Sequence, residues 1–295
     1  MTPRAARLDA QAKINLFLRV LSREAGGYHQ LETLFQRISL GDTVTVRTGV
    51  AGRSLECAGT NVGPTEQNLA WRAALAFAEA TGWPSGFSIE IEKRIPVGGG
   101  LGGGSADAGA VLRILGELAP QPVTGIARVA LAALATRLGA DVPFLAGVLP
   151  LAIGLGRGER LLPLAPLPER ALLLCVSPFG VSSADAFGWY ATAHAGGAAE
   201  SHLVLPALGR LDWATVADFA ANDLEAAVFD RHPELAEIRH AIERAGAVIA
   251  RMSGSGSTLF GVFASPTPPV ELSLSASCTV LSAHTLDRVA AVEML

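Results

Sequence analysis

From Phe87 to Glu92 apolar and polar residues alternate, with Phe87, Ile89 and Ile91 set against Ser88, Glu90 and Glu92, the period-2 pattern of a half-buried strand. Farther on the period lengthens. Ala108, Val111, Leu112, Leu115 and Leu118 recur at helical spacing, with Ser105 or Asp107 as the N-cap. An earlier alternation sets Ile14, Leu16, Leu18 and Val20 against Lys13, Asn15, Phe17 and Arg19. It predicts a strand with Lys13 and Asn15 side by side on one face. Thr43 to Thr48 reads as another strand, after a turn at Gly26-Gly27. Asn68 caps a helix from Leu69 to Ala80 that ends before Gly82, and Ile126 to Leu138 is a further helix stopped by Gly139. In the second half, Leu172 to Val176 reads as a buried strand, and helical patterns run over Trp213 to Phe229 and Pro233 to Ala245. Short strands are predicted at Ala247 to Met252, Leu259 to Phe263 and Cys278 to Ser282, and a small-residue loop at Ala195 to Ala199. Strands and helices mixed without a regular βαβ rhythm predict an α+β fold of two lobes. The Pro- and Gly-rich text from Gly154 to Pro168 marks the junction, dividing the chain into domains 1–160 and 161–295.

The strand at Phe87 and the helix at Ala108 frame the run Pro96-Val97-Gly98-Gly99-Gly100-Leu101-Gly102-Gly103-Gly104-Ser105-Ala106. Glycines there let the backbone adopt positive φ and approach a ligand closely. Amides converging on a helix N-terminus, where the peptide dipoles align, favour an anion such as phosphate. No Lys-Ser/Thr pair follows the glycines, which excludes a Walker P-loop. Gly98, Gly100 and Gly103 do satisfy G-x-G-x-x-G, so a dinucleotide-dependent oxidoreductase stays open, although Glu117 is not the acidic residue that would close a second strand.

The composition narrows the ligand. With 23 basic and 27 acidic residues the formal net charge is −4, and no basic excess points to nucleic acid or to an anionic membrane. A small molecule is the better expectation. Cys57, Cys175 and Cys278 are isolated and odd in number, forming neither a disulfide framework nor a metal motif, which fits a cytoplasmic protein. The apolar stretch from Val142 to Gly156 is shorter than the roughly 20 residues that cross a bilayer. Only two of the basic residues are lysines, Lys13 and Lys93.

Lys13 lies on a strand among apolar residues, where it either faces water at an edge or faces inward with a partner. Asp141, in Gly139-Ala140-Asp141-Val142-Pro143, is either a capped turn residue or a carboxylate held in a partly dry site. Beside a phosphate loop the two suggest phosphoryl transfer, with Asp141 accepting a hydroxyl proton and Lys13 stabilising negative charge. Met252-Ser253-Gly254-Ser255-Gly256-Ser257-Thr258 is either a hairpin turn or a second close approach to the ligands. Tyr28-His29 is either surface text or a ring for stacking a base with a partner for its polar edge.

Three motifs in this order, Ala12 to Leu16, the glycine loop and Met252 to Thr258, resemble the GHMP-kinase superfamily. Gly27-Tyr28-His29, Leu34-Phe35-Gln36 and Ala140-Asp141-Val142-Pro143 point to the members whose acceptor is a cytidine-diphosphate-linked methylerythritol. The resemblance runs from about residue 8 to 263. It implies a two-lobed fold, an N-terminal domain like ribosomal protein S5 domain 2 and a C-terminal ferredoxin-like domain, with the site between them. It implies ATP as phosphoryl donor to the acceptor's 2-hydroxyl, with Lys13 and Asp141 as the catalytic pair and residues 96 to 106 around the phosphates. Asn68 and Lys93 would serve the adenine. Tyr28, His29 and either Phe187 or Trp189 would hold the cytosine. Asn15, Asn222, Asp223, Gly254, Ser255 and Gly256 would shape the acceptor pocket. Many relatives follow the glycines with two hydroxyl residues, whereas Ser105-Ala106 leaves one, so the protein ligands of Mg²⁺ stay open and the ion is expected on the nucleotide.

Overall fold

Two strands of 20 residues each, β1 (Arg4–Arg23) and β2 (His29–Thr48), form the antiparallel hairpin on which the first lobe is built. The computed structural model describes residues 4–23, 28–60, 62–120, 123–194, 211–267, 272 and 277–295. The expected Gly26-Gly27 turn and the Ala195 to Ala199 loop therefore lie outside the described residues. β3 (Arg53–Ala58), α1 (Leu69–Thr81) and β4 (Phe87–Glu92) come next, followed by three helices, α2 (Gly103–Leu118), α3 (Val123–Leu138) and α4 (Val142–Ala146). β5 (Leu151–Gly156) and β6 (Arg160–Pro163) complete the lobe.

β2 is shared between two neighbours. Its C-terminal part, Thr43 to Thr48, pairs with β4, and its N-terminal part, Leu31 to Gln36, pairs with β5. The forked sheet reads β11-β1-β2-β4-β3, with β5 and β6 branching from β2, where β11 (Glu293–Met294) brings the end of the chain back to β1. Among the described strands only β3 and β4 run parallel. This is no doubly wound parallel sheet, and the dinucleotide reading of the glycines loses its fold. As the alternation predicted, Phe87, Ile89 and Ile91 point inward. α2 is buried on nearly every side because it lies between the sheet and α1, α3 and α4. Small residues make that possible: a Cβ at Gly109 would stand 2.7 Å from the backbone of α4.

The second lobe contains β7 (Ala171–Val176), α5 (Ser183–Ala193), α6 (Trp213–Phe219), α7 (Glu225–Phe229), α8 (Pro233–Arg244), β8 (Ile249–Met252), β9 (Leu259–Phe263) and β10 (Thr279–His284). Its antiparallel sheet runs β10-β7-β9-β8. The architecture is α+β in two lobes. The 160/161 division falls inside β6, which pairs with β5.

Three expectations are corrected in detail. The strand expected to start at Lys13 starts at Arg4, because Ala6, Leu8 and Ala10 already bury one face of β1. The helical pattern from Trp213 to Phe229 breaks between α6 and α7, where Asn222 turns its side chain to the backbone of another loop. Neither Ser105 nor Asp107 caps α2; Gly102 does, with φ 74°.

Candidate active site

The glycine run joins β4 to α2 and alternates in handedness, with Gly98, Gly100 and Gly102 at φ 76°, 77° and 74°. At Gly100 glycine is required for space as well, and at Gly102 the space is tight. A Cβ on Gly100 would stand 2.1 Å from the Ser253 carbonyl, and one on Gly102 would press on the Lys13 Cε at 3.2 Å. Because Gly102 has no side chain, the N-terminus of α2 has no side-chain cap. Its first-turn amides keep no intrahelical acceptor and carry the positive end of the helix dipole, the requirement for an anion site.

Lys13 and Asn15 do share one face of β1. The strand bulges between Gln11 and Lys13 and again between Asn15 and Phe17, a device that re-aims side chains. The Lys13 amide, freed from the ladder, donates to the Leu101 carbonyl at 3.0 Å, so β1 holds the glycine loop directly. The Lys13 side chain is 4% exposed, and its Nζ donates to Asn15 Oδ1 at 2.7 Å and to the Gly100 carbonyl at 2.8 Å. Asp141 Oδ2 stands 3.5 Å from Nζ, with the side chain 31% exposed. Asp141 occupies the N-cap position of α4 but makes no capping bond with its carboxylate. The side-chain bond that a capped turn would use is therefore absent. Arg37 secures the far end of α4: its buried guanidinium donates to the carbonyls of Phe144 at 2.7 Å, Leu145 at 2.9 Å and Gly147 at 3.0 Å.

Lys93 has a different setting. Its Nζ binds the carboxylates of Asp42 and Asp107, the latter at 2.8 Å, while Asp42 Oδ1 also accepts from the Arg94 and Ile95 amides. Burial alone would lower the Lys93 pKa, but Asp107 and Asp42 outweigh it and the net shift is upward. Burial pushes the Asp107 carboxyl up to about 7, against the pull of Lys93 and with the push of Asp42. This cluster lies directly under the start of α2, where a Cβ on Gly103 would be 3.5 Å from the Lys93 Nζ.

Met252 to Thr258 joins β8 to β9 as a hairpin connection, yet it is buried against the first loop. Ser253 Oγ donates to the Gly100 carbonyl at 2.9 Å and the Thr258 amide to the Gly99 carbonyl at 3.3 Å. Asn222 fixes this loop from behind, donating from Nδ2 to the Met252 and Gly254 carbonyls at 2.8 Å each. Asp223 ties the second lobe to β1, accepting from the Val20 amide at 2.9 Å.

One cavity of about 1480 Å³ runs between these parts, larger than the 300–1,000 Å³ of an ordinary single-ligand pocket. Lys13, Asn15, Asn68, Lys93, Asp141, Gly254, Ser255 and the loop from Pro96 to Ser105 line it, with Tyr28, His29 and Phe187. The Asn68 side chain also caps α1 by accepting from the Ala70 amide at 2.9 Å. Phe187 stacks on His29 with centroids 5.0 Å apart, whereas Trp189 turns away to His232 and Arg231. Ala106, Asn222, Asp223 and Gly256 are not among the lining residues. The sequence reading did not single out Thr33, which accepts from Asn15 Nδ2 at 2.7 Å, or Arg157, whose guanidinium covers the Tyr28 ring. Thr33 carries no local signal, and Arg157 falls in the Pro- and Gly-rich stretch that reads as a domain junction.

The GHMP kinases N terminal domain matches residues 68–148 and the GHMP kinases C terminal domain matches residues 204–279. The chain is similar to the 4-diphosphocytidyl-2-C-methyl-D-erythritol kinase of Pelotomaculum thermopropionicum, 42% identical over 258 residues, covering 86% of this chain and 88% of that one. The enzyme of the same name from Desulfotalea psychrophila is 37% identical over 289 residues, covering 97% and 94%. Among solved structures, a 4-(cytidine 5'-diphospho)-2C-methyl-D-erythritol kinase superposes with TM-score 0.70 at 39% identity, covering 88% of this chain and 91% of that one. A homoserine kinase from Cytophaga hutchinsonii, 17% identical with TM-score 0.61, shares the fold.

Proposed function

This chain belongs to the 4-diphosphocytidyl-2-C-methyl-D-erythritol kinases of the GHMP family, and we propose that Asp141 and Lys13 carry its phosphoryl transfer. It phosphorylates that diphosphocytidyl alcohol with ATP, a step in making isoprenoid precursors. The reacting group on this reading is the acceptor's 2-hydroxyl. The ATP phosphates rest on the open N-terminus of α2, in a loop whose amides supply donors without a flexible side chain. Transfer of this kind needs little covalent chemistry from the protein, so positioning and electrostatics do most of the work.

The observation that carries the reading is the Lys13–Asp141 pair, 3.5 Å apart beside that helix terminus. Asp141 accepts the hydroxyl proton as the oxygen attacks the γ-phosphorus and the bond from that phosphorus to the β,γ-bridging oxygen breaks, releasing ADP. Lys13 stabilises the negative charge that the transfer spreads over the phosphoryl oxygens. Asn15, itself oriented by Thr33, holds the Lys13 ammonium in place. Tyr28, His29 and Phe187 receive the cytosine, with His29 offering ring nitrogens to its polar edge. Magnesium enters on the nucleotide. It would supply charge neutralisation to the phosphates there, and Ser105, which lines the cavity beside the loop, offers a hydroxyl oxygen of the kind it takes. No helix among the described residues is long and apolar enough to cross a membrane. Cys175 and Cys278, expected to be isolated, come into side-chain contact, yet all three cysteines are free thiols, which favours a cytoplasmic setting.

The test is ADP release by the purified protein with MgATP, with and without 4-diphosphocytidyl-2-C-methyl-D-erythritol. Release that depends on this acceptor is expected. Release with mevalonate or homoserine in its place would discard the cytidine assignment.

A further inference from the structure

We propose that Cys175 and Cys278 form a hydroperoxide-responsive thiol pair, in which Cys278 is the sulfur that a hydroperoxide oxidises and Cys175 the sulfur that then closes a disulfide with it. Neither residue is among those lining the cavity, so the pair is separate from the phosphoryl-transfer chemistry.

The second sheet brings the two together. Cys175 on β7 is paired with Val280 on β10, and Cys278 stands two residues before Val280. Side chains alternate between faces along a strand, so Cys278 shares the face of Val280 and of Cys175, one diagonal step away. Cys175 belongs to the apolar core of this lobe and Cys278 packs against it. The Cys175 S–H donates to the Cys278 sulfur. In a regular ladder diagonal Cβ atoms stand roughly 7 Å apart, farther than the roughly 4 Å that a disulfide spans. The pairing of β10 with β7 begins at Thr279, however, so Cys278 is not held in register and can close that gap. Both are free thiols in the structure, in contact and not yet bridged.

The two sulfurs differ in reach and in charge. Cys175 has no exposed surface, whereas Cys278 is half-buried. The hydrogen bond from Cys175 lowers the Cys278 pKa against the push of burial; the same bond raises that of Cys175, and burial raises it further. Cys278 is therefore the thiolate that solvent reaches, the form that attacks a peroxide. Cys57 on β3 is the contrast, because burial raises its pKa against the pull of Lys93.

The chemistry has two steps. The Cys278 thiolate attacks one oxygen of the hydroperoxide, the O–O bond breaks, and sulfur gives up two electrons to become the sulfenic acid. The leaving alkoxide or hydroxide takes a proton from water. The Cys175 sulfur then attacks the Cys278 sulfur, the S–O bond breaks, and the departing hydroxide leaves with the Cys175 proton as water. Two thiols and one hydroperoxide thus give one disulfide, one alcohol or water, and one water. In a reducing compartment such a bridge is transient, and both residues return to thiols.

The experiment exposes the full-length protein to hydrogen peroxide, then counts thiols after denaturation and maps peptides without reductant. The unaltered chain should fall from three thiols to one, with Cys175 and Cys278 in one linked peptide and Cys57 unmodified. Dithiothreitol should restore all three. Cys175→Ala should halt at the Cys278 sulfenic acid, captured by dimedone. At pH 7 that acid should form several-fold more slowly than the bridge does in the unaltered chain, because the S–H donor is gone. Cys278→Ser should leave Cys175 reduced at peroxide concentrations that bridge the unaltered chain. A melting curve accompanies each variant, and where one fails to fold the thiol count and peptide map of the unaltered chain decide alone. Three thiols remaining, oxidation of Cys57 ahead of the pair, a Cys278 sulfenic acid that never bridges, or a bridge between two chains would each overturn the proposal.

Discussion

The chain's two lysines end up about equally buried and in opposite electrostatic settings. Lys93 stands between two carboxylates, and one of them, on Asp42, has no exposed surface. Lys13 has two neutral oxygens at hydrogen-bond distance, while its carboxylate, Asp141, stands back at 3.5 Å and is partly wet. Lys93 is thus compensated by fixed charge, and its cluster underpins the start of α2. On the proposed reading, Lys13 keeps charge to offer to an incoming phosphoryl group. Burial alone does not separate the two lysines; the distance and wetness of the counter-charge do.

The largest effect that would break this contrast is on rate. Asp141→Asn keeps the shape but cannot accept a proton, and turnover should fall about 10²- to 10⁴-fold. Because the Asp141 carboxylate caps nothing, the thermal midpoint and the affinity for ATP should be unchanged. Steady-state kinetics beside a melting curve measure both. Turnover close to that of the unaltered chain would return Asp141 to the class of Lys93's partners, a charge with a structural role.

How much of this was legible in the sequence depends on how local each contact is. The alternation at Phe87 to Glu92 and the glycines after it predicted β4 and a helix following the loop, because both signals act within a few residues, although α2 starts at Gly103, before either expected cap. The side-by-side placement of Lys13 and Asn15 followed from strand period alone. The partners of Lys93 did not follow, because Asp42 lies 51 residues away on β2 and only the sheet brings it near. Asp107 misled in an instructive way. A carboxylate near a helix start reads as a cap, but the left-handed Gly102 had taken that position and left Asp107 to face Lys93. Asn222 and Asp223 matched a family segment, yet their bonds run to the backbone of the second glycine loop and of β1, contacts between distant segments that no local pattern announces.

A second prediction sharpens the contrast through stability. Lys93→Met removes the cation that the Asp42 and Asp107 carboxyls share and leaves the buried Asp42 charge uncompensated, and should cost about 3–5 kcal/mol in urea unfolding. Lys13→Met leaves behind neutral acceptors on a cavity wall and a carboxylate that water already reaches, so its cost should be about 1–3 kcal/mol. It should nevertheless abolish turnover. Equal stability losses would mean that Lys13 is as structural as Lys93.

The smallest effect is a slope with pH. In the unfolded chain an aspartate titrates near 3.9, whereas burial raises Asp107 in the folded protein to about 7, with Lys93 opposing and Asp42 assisting. The folded state therefore binds that proton more tightly. The stability this contributes is complete below about pH 4 and is lost as pH rises through about 7. Asp107→Asn cannot ionise, although its amide oxygen can still accept from Lys93, so this part of the pH dependence should vanish. Unfolding free energies of the two proteins, measured from pH 4 to pH 8, should therefore diverge in the variant's favour as pH rises. Parallel curves would mean that Asp107 is already ionised at the bottom of the range. In that case Lys93 would compensate its counter-charges as fully as the short contacts allow, and the difference between the two lysines would be wider than burial alone gives.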